Sequence, residues 1–169
     1  MSIRAVADAV GVTAPSIYLH FADKSDLVFA VCEEHFARFE AAAQEAIAGV
    51  DDPVERMYRR GRAYVRFGLE NPEHYRIMFM SRSDEPPPRL SDEGIAVSAA
   101  FGGLVEDVKA AVASGKIMAD DPFLVACGLW ATVHGITSLM ISKPVFPWPP
   151  SDHLVDYALA VIGQGLGAV

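Results

Sequence analysis

The chain has 169 residues, 51% of them apolar, enough for one sizeable core plus a small appended module. A formal net charge of −8 argues against a surface that clings to nucleic acid regardless of sequence. No early apolar run is flanked as an export signal requires, and Cys32 and Cys127, far apart and outside any metal or redox spacing, read as free thiols of a reducing cytoplasm.

Taken in chain order, Ile3, Val6, Ala7 and Val10 recur at spacings of three and four and predict one face of a helix. Ser2 is placed to cap it, Gly11 to close it, and Val12 to act as the apolar plug of the turn that follows. Thr13 suits the N-cap of a second helix, Ala14 to Phe21, with Pro15 in the first turn, where a missing N–H is harmless. That helix points Ile17 and Phe21 inward and leaves Ala14, Ser16, Tyr18, Leu19 and His20 on the opposite face. Two helices joined through a short glycine-containing turn make a helix-turn-helix, whose second helix lies in the DNA major groove. Small residues at its start permit close approach, Ser16 can bond base edge or phosphate, and Tyr18 and His20 can donate to phosphates. Lys24, at the start of the next helix, is a natural phosphate anchor. The acidic residues gather after position 30, in Glu33, Glu34, Asp51, Asp52, Asp84, Glu85, Asp92, Glu93, Asp120 and Asp121, so the reading head itself is neutral.

A long helix follows from Ser25 to Ala48, with Val28, Cys32, Phe36, Phe39, Ala43 and Ile47 as its apolar stripe and Gly49 at its end. At its length it spans about 35 Å, enough to leave the head and enter a second domain as a rigid lever. Asp52 and Pro53 open a helix to Glu70 that turns Val54, Met57, Tyr58, Gly61, Tyr64, Val65 and Gly68 or Leu69 inward. Arg56, Arg59, Arg60, Arg62 and Arg66 fall on its other side and read as a solvated face paired with acids, in preference to a second nucleic-acid surface. A short helix from Glu73 to Ser81 carries Tyr75, Ile77, Met78, Phe79 and Met80, and Ser83 to Arg89, with three consecutive prolines, predicts an exposed, semi-rigid loop.

The next helix is expected from Glu93 to Ser114 with Ile95, Ala99, Leu104, Val105, Val108 and Val112 as its stripe. Phe123 to Ser142 carries no formal charge and has the length of a membrane span, but central Thr132, His134, Thr137 and Ser138, two glycines and the lack of a basic flank exclude that reading. The last helix, from Pro150 or Ser151 to Gly165, supplies Leu154, Tyr157, Ala158, Val161, Ile162 and Leu166. Two terminal helices this poor in charge need neighbours on more than one face, which a second copy provides through a four-helix interface.

The run from Val10 to Leu27, Ile-Tyr-x-His-Phe-x-x-Lys-x-x-Leu at its centre, resembles the DNA-binding signature of the TetR family of bacterial regulators. The resemblance implies that Thr13, Ala14, Pro15, Ser16, Tyr18, Leu19, His20 and Lys24 face DNA and that Ile17 and Phe21 lie in the core. The family's pattern has one more helix before the Ser2 position, packed across these two, and the expectation is that such a segment precedes Met1. The block Gly128 to Leu139 is similar to a Trp-x-x-x-His-Gly element in the C-terminal domains of one TetR subgroup, and helix count and order match that family's body.

No nucleophile elbow, phosphate loop or His-Glu-x-x-His is present, and the five histidines show no metal-ligand spacing, so neither an enzyme, a cofactor nor a metal site is expected. Trp130, His134 and Thr137 share a face of an otherwise apolar helix, as a cavity with a few orienting polar groups requires. With Tyr64, Phe67, Tyr75, Met78, Phe79 and Phe101 they are the candidate lining of a site for a mostly apolar small molecule. The expectation is therefore an all-α cytoplasmic protein. Residues 1–48 form the helix-turn-helix head and connecting helix, and residues 49–169 form the effector-binding and dimerisation body. Its partners would be double-stranded operator DNA, an apolar effector and a second copy, with no membrane. The first expectation is a dimeric repressor that releases its operator when the effector binds the body. If the preceding helix is truly lacking, the expectation becomes a ligand-binding or protein-interaction module without a DNA role.

Overall fold

The computed structural model describes residues 2–80 and 99–167. Its helices are α1 (Ile3–Val10), α2 (Ala14–Tyr18), α3 (Lys24–Ile47), α4 (Pro53–Glu70), α5 (Pro72–Tyr75) running on into a π-helical turn (Arg76–Met80), α6 (Ala99–Ala113), α7 (Pro122–Ser142) and α8 (Ser151–Gly165). The fold is all-α. The expected Ser83 to Arg89 loop, and the expected start of α6 with Ile95, lie outside the described residues.

Side-chain caps start most of these helices. The Ser2 hydroxyl accepts from the Ala5 amide at 3.3 Å, Thr13 from Ser16, Asp52 from Val54 and Glu55, and Asp121 from Phe123 and Leu124. Gly11 closes α1 at φ 73° and Gly49 follows α3 at φ 71°, a backbone region that costs other residues a Cβ clash. α2 is shorter than its sequence suggests and stops at Tyr18. The next helix starts early: Asp23 accepts from the Asp26 amide at 2.9 Å while Asp26 accepts from Ala22 at 3.0 Å, a reciprocal cap that leaves only a tight turn between.

Two hydrophobic clusters result. Ile3, Ala7 and Ile17 are buried in the head, with Val6, Ala14, Phe21 and Leu27 packed against them. The pattern predicts Val10 and Val12 inside, yet they are 64% and 45% exposed. α1 turns only one narrow stripe toward α2, and the turn holds its geometry through a Val12 N–H to Ala7 carbonyl bond rather than a buried side chain. The second cluster is the body. α4 runs through its centre and packs on α3, α6, α7 and α8. Close approach is built into α4: a Cβ on Gly61 would meet Leu159 Cδ1 at 2.9 Å.

The arginines of α4 find acids, as their pattern suggests, but not all on a solvated face. Arg59 pairs with Glu55, Arg62 grips Asp156 through two bonds of 2.7 and 2.9 Å, and Arg66 reaches Asp152. Arg60, by contrast, is buried, its Nε donating to Asp107 at 2.6 Å. Asp107 on α6 is itself 2% exposed, because an ion pair with hydrogen bonds tolerates burial that a lone charge does not.

By length and composition α7 could cross a membrane, yet Ala126, Leu129, Val133, Thr137 and Ile141 are buried against the body. In α8 the buried positions are Val155 and Leu159, whereas Tyr157 and Val161 lie on its outer face, 71% and 51% exposed. The helix is apolar on both sides, so its periodicity fits either register. Ala99 is likewise exposed, and α6 buries Asp107, Val108 and Ala111.

Candidate functional site

On the head, α2 is held by Ile17, which sits in the head cluster at 8% exposure. Pro15 and Tyr18 on its outer face and Leu19 and His20 in the turn that follows stand in solvent, with Thr13 and Lys24 exposed at either end. Ala14 and Ser16 are half-buried, Ala14 against the head cluster and Ser16 with its hydroxyl 2.8 Å from that of Thr13. Leu19 at 83% exposure next to Tyr18 at 55% is an unusual outlay of apolar surface for a small module. An apolar side chain of this kind, flanked by hydroxyl and imidazole donors, has the chemistry to meet a thymine methyl and phosphates.

In the body, a pocket of about 680 Å³, open mouth included, lies between α3, α4, α6, α7 and the π-helical turn. Of the candidate lining residues, Tyr64, Phe79, Phe101 and Trp130 border it. Phe67, Tyr75, Met78, His134 and Thr137 do not. Phe67 packs on Phe39, Met78 is core, and Thr137 is fully buried with its hydroxyl donating to the Val133 carbonyl at 2.7 Å.

Tyr75 and His134 form a polar cluster behind the wall. The Tyr75 oxygen is 2.7 Å from His134 Nδ1, the Tyr64 oxygen lies 3.1 Å from the same nitrogen, and the two phenols are 3.2 Å apart. Burial pushes the His134 pKa below its usual value, which keeps the imidazole neutral. A neutral ring with its proton on Nε2, directed at Ser138 Oγ 3.4 Å away, accepts from Tyr75 at Nδ1, and Tyr64 then donates to Tyr75. Burial likewise raises the pKa of Tyr64 and Tyr75, so both phenols stay protonated donors. The cluster holds Tyr64 in place as a wall of the pocket.

Phe36, Phe39 and Ala43 of α3, Met57, Arg60 and Gly61 of α4, Ala100 and Leu104 of α6, Leu129 and Val133 of α7 and Leu159 of α8 also border the pocket. A signal existed for some of them. Met57, Arg60, Gly61 and Tyr64 fall at i, i+3, i+4 and i+7 on one helix face, which places Arg60 inside rather than among the solvated arginines. Its partner Asp107 lies far along the chain, and no local pattern announces it. Among the described residues no group of His, Cys, Asp and Glu is arranged to hold a metal ion.

A two-helix reading head on a long helix, feeding an all-helical body with a pocket, is the architecture of a helix-turn-helix regulator. Residues 57–162 match the family described as tetracyclin repressor-like, C-terminal domain, and residues 1–31 match bacterial regulatory proteins, tetR family. The chain belongs to the TetR family of transcriptional regulators, whose members are in general DNA-binding and not enzymes. Among solved structures it is similar to a protein of unknown function from a Rhodococcus species, at 27% identity and a TM-score of 0.81 over 98% of this chain and 84% of that one. It shares its fold with the TetR family regulator PfmR from Thermus thermophilus, at 21% identity and a TM-score of 0.77 over 98% and 89% of the two chains. It is also 28% identical over 74 residues to the HTH-type transcriptional activator FasR of Mycolicibacterium smegmatis. That match takes in 44% of this chain and 34% of the curated relative, about a third of its length.

Proposed function

We propose that this chain is a cytoplasmic, homodimeric repressor that releases operator DNA when a small, mostly apolar molecule enters the body pocket. Residues 1–48 serve as head and connecting helix, and residues 49–169 as effector-binding and dimerisation domain. The observation that carries the reading is that α3 belongs to both parts. Its Leu27 packs on the head cluster, and Phe36, Phe39 and Ala43 border the pocket on the same rigid helix. A ligand that prefers one position of α3 shifts the head with it, and its differential affinity for the two positions is the coupling free energy.

The dimer is supported by the outer faces of α7 and α8. Leu124 and Leu139 on α7 and Tyr157 and Val161 on α8 are each at least half exposed in one copy, a patch that a second copy would cover. Two heads so joined would read major grooves one turn apart, about 34–36 Å. Likeness to the tetracyclin repressor-like domain favours repression, while FasR is named an activator, so the sign is part of the test.

The experiment is selection of binding sites from random duplex DNA by the full-length protein, followed by transcription in vitro from a promoter carrying the selected site. Enrichment of a palindrome, its loss in Tyr18→Ala and His20→Ala, and lowered transcription support the proposal. No enriched sequence would refute DNA reading, and raised transcription would refute repression.

A further inference from the structure

We infer that the effector of the body pocket carries a carboxylate, and that this carboxylate seats on Arg60. The inference rests on the reading of that pocket as an effector site and adds the chemistry of the ligand's polar end.

Arg60 is the charged residue among those bordering the described pocket. Its side chain is 7% exposed, and among the described residues its buried Nη1 has no hydrogen-bond partner. A guanidinium carries five N–H donors and cannot shed its proton, so a buried nitrogen left unpaired is a standing cost. Asp107 does not remove that cost. Its Oδ2 accepts from Arg60 Nε at 2.6 Å, and its Oδ1 forms an ion pair with Arg56 Nε at 2.8 Å without a hydrogen bond, so this one carboxylate already faces two guanidiniums. Among the described residues two guanidiniums thus share one carboxylate, which leaves room in the charge balance for one more anion.

The opposite helix is shaped around this arginine. A Cβ on Gly103 of α6 would stand 2.9 Å from Arg60 Nη2 and 3.1 Å from Cζ, so glycine there makes room for the guanidinium. The rest of the chamber is apolar: Phe36, Phe79, Phe101, Leu104 and Trp130 surround the space beside it. One unsatisfied cationic donor in an apolar chamber selects an amphiphile whose head is a planar anion and whose body is hydrocarbon or aromatic.

The test compares decanoate with decanol, which share a tail and differ in the head, by titration calorimetry on the full chain. Decanoate is expected to bind at least tenfold more tightly. Arg60→Met, which leaves Asp107 paired with Arg56, should bring decanoate to the level of decanol and leave decanol binding unchanged. Gly103→Ala, which pushes on the guanidinium without removing it, should weaken decanoate selectively and provides the same readout should Arg60→Met fold poorly. Equal binding of the two probes to the wild type, or an undiminished preference in both variants, would overturn the head-group assignment and leave the pocket reading standing. If neither probe binds, both the head-group assignment and the pocket reading are overturned.

Discussion

Gly68 offers the sharpest test of the packing between α4, α5 and α7. A Cβ there would stand 2.4 Å from Thr137 Cγ2 and 2.9 and 3.2 Å from two carbons of the Tyr75 ring. Carbon atoms in contact prefer about 3.5–4.0 Å, so the closest approach is about 1 Å too short. Neither neighbour can yield cheaply. Thr137 is fully buried and its rotamer is fixed by the bond to the Val133 carbonyl, while Tyr75 is 1% exposed and tied to His134 through its hydroxyl. Overpacking of this kind costs about 1–3 kcal/mol, and two locked neighbours put Gly68→Ala at the upper end. Better helix propensity returns about 1 kcal/mol, for a net loss of about 2 kcal/mol. In a chain of this size that is a fall in Tm of about 4–8 °C. Gly61→Ala is the internal control on the same helix. Its nearest obstacle, at 2.9 Å, is the far end of the Leu159 side chain, which can rotate, so its effect should lie near zero. Thermal unfolding followed by circular dichroism at matched protomer concentration measures both. If Gly68→Ala melted at or above Gly61→Ala, the account of this interface would be wrong.

Other consequences are open to measurement. Burial lowers the pKa of His134 beneath the ordinary 6.5, and burial first, then His74 and Arg38, lowers that of His35 against the opposing pull of Glu34. The unfolded chain therefore binds more protons below 6.5, so stability is complete above that pH and declines as pH falls through the folded values. Unfolding in urea across that range should show the decline, and His134→Gln should shallow it; a pH-independent midpoint would contradict the assignment of a neutral, accepting imidazole. On the head, Lys24→Ala should weaken operator binding by similar factors on all sequences and reduce the salt slope by about 1, measured by fluorescence anisotropy at several salt concentrations. An unchanged slope would remove Lys24 from the phosphate contacts. On the body, placing charge in the exposed patch with Leu124→Glu and Tyr157→Glu should halve the sedimenting mass, and an unaltered mass would locate the dimer interface elsewhere.

Much of this protein was legible in its residue order. Caps at Ser2, Thr13 and Asp52, the glycines at 11 and 49, and apolar spacings of three and four are local rules, each acting within a few residues. They sufficed for the helix order, for the exposure of Tyr18, Leu19 and His20, and for the apolar stripe of α3. The C-terminal half was harder because periodicity loses its meaning where a helix is apolar all round. In α8 the choice between Val155 with Leu159 and Tyr157 with Val161 was made by the groove between α4 and α7, where Gly61 admits Leu159. The pocket divided its candidates in the same way: Tyr64, Phe79, Phe101 and Trp130 reached its wall, while Tyr75 and His134 turned to each other behind it. Arg60 is the clearest case of all. Its spacing from Met57, Gly61 and Tyr64 sets it on the inner face of α4, but nothing near it in the chain shows what would meet its charge there. Its burial was decided by Asp107 on another helix, because a charge leaves water only where a distant partner meets it, and that meeting exists only once the chain has folded.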